Sequence, residues 1–358
     1  MHALKEADKA VADLPTFENA HTWTGPAMAR RSDWIHEFSA DEIADIDAAV
    51  ARLDAAGTDI RTITSAMFPL PRLQGVLQAV KRQVLHGRGF HLFRGVPVQR
   101  YTNRQSAIAY WGLGQHFGEA LSQNGKGHLL GHVANLGLDY ADPEVRGYQT
   151  SARLPYHSDL ADVVALLCLR TPKAGGLSSI VSSTTVWNEL VRRRPDHART
   201  LLGPFHYTRW GEIPAGKTAY ESIPVFSPFG GEMFANYVRS AIMKAQKLPG
   251  VPPLTRAQVE ALDFLDSLCA DPALHLDMDF RPGDVQLLSN HFILHSRTAY
   301  EDWEQTDKRR HLLRLWLACP EGPDLPPFMY ERFGVTASGR PDGIRVPGVE
   351  LVAPIEVV

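Results

Sequence analysis

Two stretches of this chain could build one edge of a metal site. In Arg153-Leu154-Pro155-Tyr156-His157-Ser158-Asp159, a histidine and an aspartate stand one residue apart. Side chains of an extended strand alternate faces with period 2, so His157 and Asp159 are expected on one face. A neutral imidazole beside a carboxylate can hold a divalent metal. One further ligand would complete a two-histidine, one-carboxylate set that leaves positions open on iron. The spacing alone carries little weight. The chain has 15 His and 40 Asp+Glu in 358 residues, so His-x-[Asp/Glu] arises roughly 1.7 times by chance. A second copy, His275-Leu276-Asp277, does occur.

A third ligand is available at His295, in Asn290-His291-Phe292-Ile293-Leu294-His295-Ser296-Arg297. It follows an apolar run, where a side chain can be held rigidly while facing a cavity. His291 lies four residues earlier, and either histidine could instead be a satisfied core residue. Arg314 is an independent signal. It interrupts His311-Leu312-Leu313-Arg314-Leu315-Trp316-Leu317, whose composition predicts a buried strand. A buried guanidinium requires an anionic partner. That partner is either a structural Asp or Glu, or a carboxylate that arrives with a ligand and meets the guanidinium fork. A charged hairpin loop from Tyr300 to Arg310 would set strand 311–319 beside the segment carrying His295. Arg314 would then lie within one cosubstrate length of the metal edge.

These residues need a scaffold. Ser39 followed by Glu42 is a capping-box pattern, and Ile43, Ile46, Val50 and Leu53 recur at helical spacing up to Gly57. Further helices are expected over 73–85, 103–117, 184–194 (closed by Pro195) and 256–270. Strands are expected at 90–93 and through much of 128–182, including the buried run Val163 to Leu169. Arg281-Pro282-Gly283-Asp284 is a turn that launches a strand at Val285. The expectation is a single α+β domain over 1–358: a mainly helical part to about 85, a core over 86–320 with a mixed insertion at about 197–275, and an irregular tail over 321–358 that wraps the surface.

At 44% hydrophobic and 22% charged residues, with a formal net charge of −3, the composition is that of a soluble globular chain. It has no bulk bias toward nucleic acid or anionic membranes. The N-terminal residues MHALKEADKAVADLP include acids and no apolar core, so no signal peptide and a cytoplasmic location are expected. Cys168, Cys269 and Cys319 form no CxxC pair and are expected to be free thiols.

Taken in order, His157-x-Asp159, Gly175-Gly176-x-Ser178, Pro282-Gly283-Asp284, Asn290, His295-x-Arg297 and Arg310-x-x-x-Arg314 resemble the TauD/TfdA family of Fe(II)- and 2-oxoglutarate-dependent dioxygenases. The resemblance spans roughly residues 85 to 320. It implies a double-stranded β-helix (jelly-roll) core flanked by helices. It also implies iron ligation by His157, Asp159 and His295, and Arg314 on the distal carboxylate of 2-oxoglutarate. Ser178 would assist that carboxylate and Arg310 would support it. The implied reaction consumes O2 and couples decarboxylation of 2-oxoglutarate to C–H oxidation of a small molecule: hydroxylation, desaturation or ring chemistry. The small molecule is left unnamed, with secondary metabolites and amino-acid or sulfonate-like compounds as candidates. Against the resemblance, His275-Leu276-Asp277 reads as structural, having no Gly-Gly-x-Ser turn behind it.

For the substrate, Arg153 shares the expected face of His157, and Arg209, Tyr237 and Arg239 could line a lid in the insertion; each could equally be a surface or packing residue. The expected partner is a small molecule rather than nucleic acid or membrane, and a homo-oligomer is compatible with the pattern. A zinc hydrolase and a non-catalytic jelly-roll binding protein are the competing classes. The first leaves Arg314 unexplained, and the second needs neither the ligand trio nor a buried arginine.

Overall fold

The capping boxes and apolar runs become the layers of a helix-flanked β-sandwich in the computed structural model, which describes residues 14–138 and 145–357. The N-terminal stretch 1–13, on which the no-leader reading rests, lies outside them. The helices are α1 (Gly25–Ala29), α2 (Ala40–Ala55), α3 (Gln74–His86), α4 (Asn103–Gly114), α5 (Ser183–Arg193), α6 (Pro195–Leu202), α7 (Arg239–Ala245) and α8 (Arg256–Cys269). The Ser39/Glu42 box caps α2 as expected, and Thr102/Gln105 and Thr255/Gln258 do the same for α4 and α8. Pro195 not only closes α5 but opens α6, where its fixed φ suits a first helical turn. No described helix is long and apolar enough to cross a membrane. All three cysteines are free and buried.

Strands β1 (Ile35–Glu37), β2 (Phe90–Arg94), β3 (Glu119–Ala120) and β4 (Gly131–Ala134) precede β5 (Leu154–His157), β6 (Val163–Arg170), β7 (Ala174–Gly175) and β8 (Ser178–Ser182). Two hairpins fill the insertion, β9 (Pro204–Thr208) with β10 (Tyr220–Pro224) and β11 (Phe226–Phe229) with β12 (Glu232–Ala235). Then come β13 (Leu276–Met278), β14 (Val285–Ser289), β15 (Ile293–Arg297), β16 (Tyr300–Glu301) and β17 (His311–Ala318). A seven-stranded sheet runs β1-β2-β14-β6-β17-β3, with β4 also on β17, and a four-stranded sheet runs β13-β8-β15-β5.

Strand alternation sorts the apolar residues into three layers. Between the sheets lie Phe90, Leu92, Val164, Leu288 and Trp316 from the large sheet, with Ile180, Met278 and Ile293 from the small one. The outer face of the large sheet, including Leu287, Leu313 and Leu315, packs on α2, α3 and α4. The outer face of the small sheet, with Val181 and Leu294, packs on α5 to α8. The expected hairpin between His295 and Arg314 is not formed. β15 belongs to the small sheet and β17 to the large one, paired with β6 and β4. The chain leaves β15 through the short β16–β7 pairing and crosses to the opposite sheet. A local charged loop between two strands looks the same in sequence whether it closes a hairpin or bridges two sheets. Arg314 therefore reaches the site from across the sandwich.

The tail also departs from expectation. It wraps the surface near Gly127 and Leu129, where Val352 completes backbone hydrogen bonds, but it also enters the core. Arg340 is buried and donates to both oxygens of Asp162, at 2.9 Å from Nε and 2.5 Å from Nη2. Asp162 also accepts from His291 Nε2 and Cys319 N–H, each at 2.8 Å. Burial pushes this carboxyl up, but the bonds from His291 and Arg340 outweigh it and leave it below its ordinary range. Removing the carboxylate would strand a buried guanidinium. Asp162→Ala is expected to cost about 3–5 kcal/mol in chemical denaturation. Because the folded carboxyl titrates low, its contribution is present above the ordinary carboxylate range and lost as pH falls through the depressed value. A wild-type stability flat across acid pH would contradict this.

Candidate active site

β5 and β15 are antiparallel neighbours, and their register sets His157 opposite His295 with ring centroids 4.2 Å apart. Asp159 lies two residues past His157, where β5 has ended, and points its carboxylate at both rings. His157 Nε2 is 4.0 Å from Oδ1 and His295 Nε2 is 3.9 Å from Oδ2. One ligand atom from each of the three lies within 4.8 Å of the others, and no other such trio occurs among the described residues.

The surroundings fix how these groups present themselves. His157 Nδ1 is 2.9 Å from Pro155 O, so Nδ1–H donates and Nε2 keeps its lone pair toward Asp159. Burial, and then the neighbouring His157, push His295 down to about 3. Burial likewise lowers His157. Both rings are therefore neutral near pH 7. Burial raises the Asp159 carboxyl, but Arg314, both histidines and Trp316 together hold it below its ordinary value. Its Oδ2 accepts from Trp316 Nε1 at 3.0 Å and lies 3.5 Å from Arg314 Nη1, while its backbone N–H donates to Asn290 Oδ1 at 3.0 Å. Oδ1 makes none of these bonds. Two bare imidazole nitrogens and one ionised oxygen, in a cluster half-buried at His157 and Asp159 and buried at His295, suit a divalent metal such as iron.

The two arginines of β17 and the residues before it differ sharply. Arg314 is held by Gln123, whose Oε1 accepts from Nε at 2.7 Å and whose Nε2 donates to the Arg314 carbonyl at 2.8 Å. It lies over the Tyr148 and Trp316 rings at 4.7 and 5.1 Å, and its anion is Asp159. Arg310 is also buried but makes no ion pair with any described carboxylate, and its Nη1 has no partner. It lies against the Tyr300 ring at 5.1 Å, and a Cβ on Gly176 would come within 3.4 Å of its Nε. Gly175 and Gly176 both have φ of +74°, and a Cβ on Gly175 would meet Ala299 O at 2.3 Å, so the Gly-Gly turn is needed where β7 leads into β8. Ser178 then bonds Gln286 across the sandwich and lines a cavity with His157, His295 and Arg310. Of the two guanidiniums, Arg310 is the one that lacks an anion.

A larger cleft opens on the other side of His157 and Asp159. Its walls include Tyr148 from the turn before β5, Arg314 and Trp316 from β17, Arg209 and Glu221 from the β9–β10 hairpin, Arg239 from α7, and Arg332 and Phe333 from the tail. Arg209 and Arg239 thus lie where the sequence suggested. Arg153 and Tyr237 do not. The β5–β15 register shifts between His295 and Arg297, so Leu154 rather than Arg153 shares the inward face with His157, and Arg153 is exposed. Tyr237 is fully buried against α8, with its hydroxyl donating to Asp266 at 2.6 Å. The rival pair is structural: Asp277 accepts from Ser179 at 2.6 Å in β13, with His275 3.6 Å away.

Sequence reasoning missed four residues that shape the site. Trp316 was within reach, since period 2 on β17 puts it on the face of Arg314. Gln123, Glu221 and Arg332 come from loops, a hairpin and the tail, with no local pattern that marks them.

Comparison with known proteins identifies the fold and the family. A synthase of FR-33289 from Streptomyces rubellomurinus is 29% identical over 327 residues, 89% of this chain and 95% of that protein. The taurine hydroxylase-like protein SAT17 from Stachybotrys chartarum is 27% identical, covering 82% of this chain and 77% of its own length. Among solved structures, an asparagine oxygenase superposes with a TM-score of 0.61 at 17% identity, over 80% of this chain and 93% of that one. The non-heme iron oxygenase OrfP reaches 0.62 at 15% identity, over 86% and 99%. These likenesses identify the jelly-roll fold. The family model for the taurine catabolism dioxygenase TauD, TfdA family matches residues 55–316, well over half of the sequence, and the chain belongs to that family of dioxygenases.

Proposed function

We propose that His157, Asp159 and His295 hold Fe(II) and that Arg310 with Ser178 receives the distal carboxylate of 2-oxoglutarate, in an oxygenase that oxidises a C–H bond of a small molecule. The observation that carries this reading is the His157–Asp159–His295 trio together with a buried arginine, Arg310, that has no anion. Iron bound there supplies the activation of O2 that couples decarboxylation of 2-oxoglutarate, to succinate and CO2, with oxidation of the substrate.

The protein's own part is placement. Trp316 and Arg314 occupy Oδ2 of Asp159, which leaves Oδ1 for the metal and keeps the carboxylate ionised despite burial. Pro155 O locks the His157 tautomer. Gln123 holds Arg314 by two bonds, so its guanidinium stays at the metal edge instead of swinging into the cavity. Four residues along an extended chain span roughly 13 Å, which sets Arg310 well away from the metal edge and leaves room for a five-carbon diacid between them. Phe280, Leu166 and Leu312 line that cavity and limit water around its polar ends. A hydrolase reading gives Arg310 nothing to bind.

Purified protein with Fe(II), ascorbate and 2-oxoglutarate is expected to release succinate slowly even without substrate. His157→Ala and Asp159→Ala should each abolish that release and lower iron retention in metal analysis; full activity in either variant would refute the ligand assignment. Arg310→Leu should weaken 2-oxoglutarate binding about 30-fold or more, the cost of removing one member of a buried charged pair, with iron content unchanged. Arg314→Leu should instead lower iron retention along with turnover, because it strips a bond from Asp159. Calorimetric titration of the iron-loaded variants separates the two, and an unchanged 2-oxoglutarate affinity in Arg310→Leu would overturn the cosubstrate assignment.

A further inference from the structure

The cleft on the substrate side carries more positive charge than its own acids balance. Arg146, Arg209, Arg239, Arg314 and Arg332 line it. Three of them are matched: Arg146 pairs with Glu212, Arg239 with Asp263 at 2.7 Å and Asp266 at 3.2 Å, and Arg314 with Asp159. The other two share one carboxylate. Glu221 lies 3.3 Å from Arg209 Nη2 and accepts from Arg332 Nε at 3.0 Å and from its Nη2. Two guanidiniums against one carboxylate leave a full positive charge uncompensated.

This surplus is buried. Arg209 is 7% exposed and Glu221's side chain 9%, so water screens the charge poorly. Donors are left over as well. Arg209 Nε is buried without a hydrogen-bond partner, and Arg209 Nη1 has only the Arg332 carbonyl, at 3.4 Å. Desolvation pushes the Arg209 guanidinium below its ordinary value, the direction expected of a buried cation short of anions. The net positive charge sits where Arg209 and Arg332 both line the cleft, so an anion entering it would meet both guanidiniums.

We infer that Arg209 and Arg332, spaced by Glu221, form a clamp for an anionic oxyacid group of the substrate, with the carbon to be oxidised reaching toward His157 and Asp159. This deepens the oxygenase reading and rests on it. The clamp joins the insertion hairpin to the tail, and Arg332 lies beyond the residues that the family model matches. It is separate from the Arg310–Ser178 end of the other cavity, so cosubstrate and substrate anions have different seats.

The test is calorimetric titration of the full chain, loaded with Fe(II) and saturating 2-oxoglutarate under anaerobic conditions. The probes are methylphosphonate, methanesulfonate and acetate, with acetamide as the neutral control. At least one anion should bind and acetamide should not, and the anion preferred names the oxyacid class. Arg209→Gln and Arg332→Gln should each weaken that anion at least tenfold, with Arg209→Lys keeping part of the affinity. Glu221→Gln, which removes the competing carboxylate, should tighten it; a merely structural tie predicts lower thermal stability with no gain in affinity. The clamp is overturned if no anion binds the 2-oxoglutarate-loaded protein, or if the arginine variants bind as well as the wild type. Failure of 2-oxoglutarate itself to bind would instead strike the oxygenase reading, and titration of the anions into the Fe(II) protein alone would still decide the clamp.

Discussion

The Asp159 carboxylate is the largely enclosed charge around which the site is built. A carboxylate inside a sandwich is unfavourable unless its lone pairs are occupied by donors and its charge is met by cations. Here the donors come from the opposite sheet: Trp316 Nε1 at 3.0 Å and Arg314 Nη1 at 3.5 Å, with Asn290 holding the backbone. Each of those partners must in turn be fixed. Arg314 is fixed by Gln123, and Asn290 donates to the Ala161 carbonyl. The chain of dependence runs from one carboxylate into both sheets and the loops that cross between them.

That dependence explains why the two sheets carry different chemistry. The small sheet supplies the imidazoles, through the His157–His295 register pair, and burial keeps both of them neutral. The large sheet supplies the cations and the indole. Nitrogen ligands with free lone pairs and compensating positive charge could not sit side by side on one strand without the cations competing for the carboxylate at the expense of the metal. Placing them on facing sheets lets Arg314 satisfy one oxygen of Asp159 and leaves the other free.

Much of this was legible in the sequence, for physical reasons. Local signals transfer directly: the Ser39/Glu42 box, the buried run at Val163, and the turn at Gly283 each depend on a few adjacent residues, and the structure shows all of them. The pair His157 and Asp159 was legible from its short spacing but stood at chance level alone, and His295, far along the chain, drew its weight from its place after an apolar run and from the order of the motifs around it. What failed was long-range or depended on a single extra residue. The bulge in β5 turns Arg153 outward, and its one local sign is Pro155, a residue confined in sheets to edges and bulges. The pairing of β17 with β6 instead of β15 is a property of the whole sandwich, invisible in the loop at 300–310. The rule that a buried arginine needs an anion was applied to Arg314 alone, and β17 and the residue before it carry two buried arginines. Arg314 has Asp159, and Arg310, whose surroundings form only when β7, β8 and β16 assemble, is the one left unmatched.

The elements least readable from sequence are also those that close the substrate side. The β9–β10 hairpin and the tail each put only a few residues into apolar clusters, Phe205, Tyr207 and Ile223 from the first and Leu325 and Met329 from the second, while Glu221 and Arg332 are held by each other and by Arg209. The polar positions around Glu221 and Arg332 can change without disturbing the facing sheets that hold the trio, whereas Arg340 of the same tail is tied to Asp162. The metal edge cannot vary so freely, because any change to Trp316, Gln123 or Asn290 alters the electrostatics of Asp159. A rigid, mutually dependent core with a charge-bearing rim assembled from peripheral segments lets the substrate contacts diverge while the oxidising centre stays fixed.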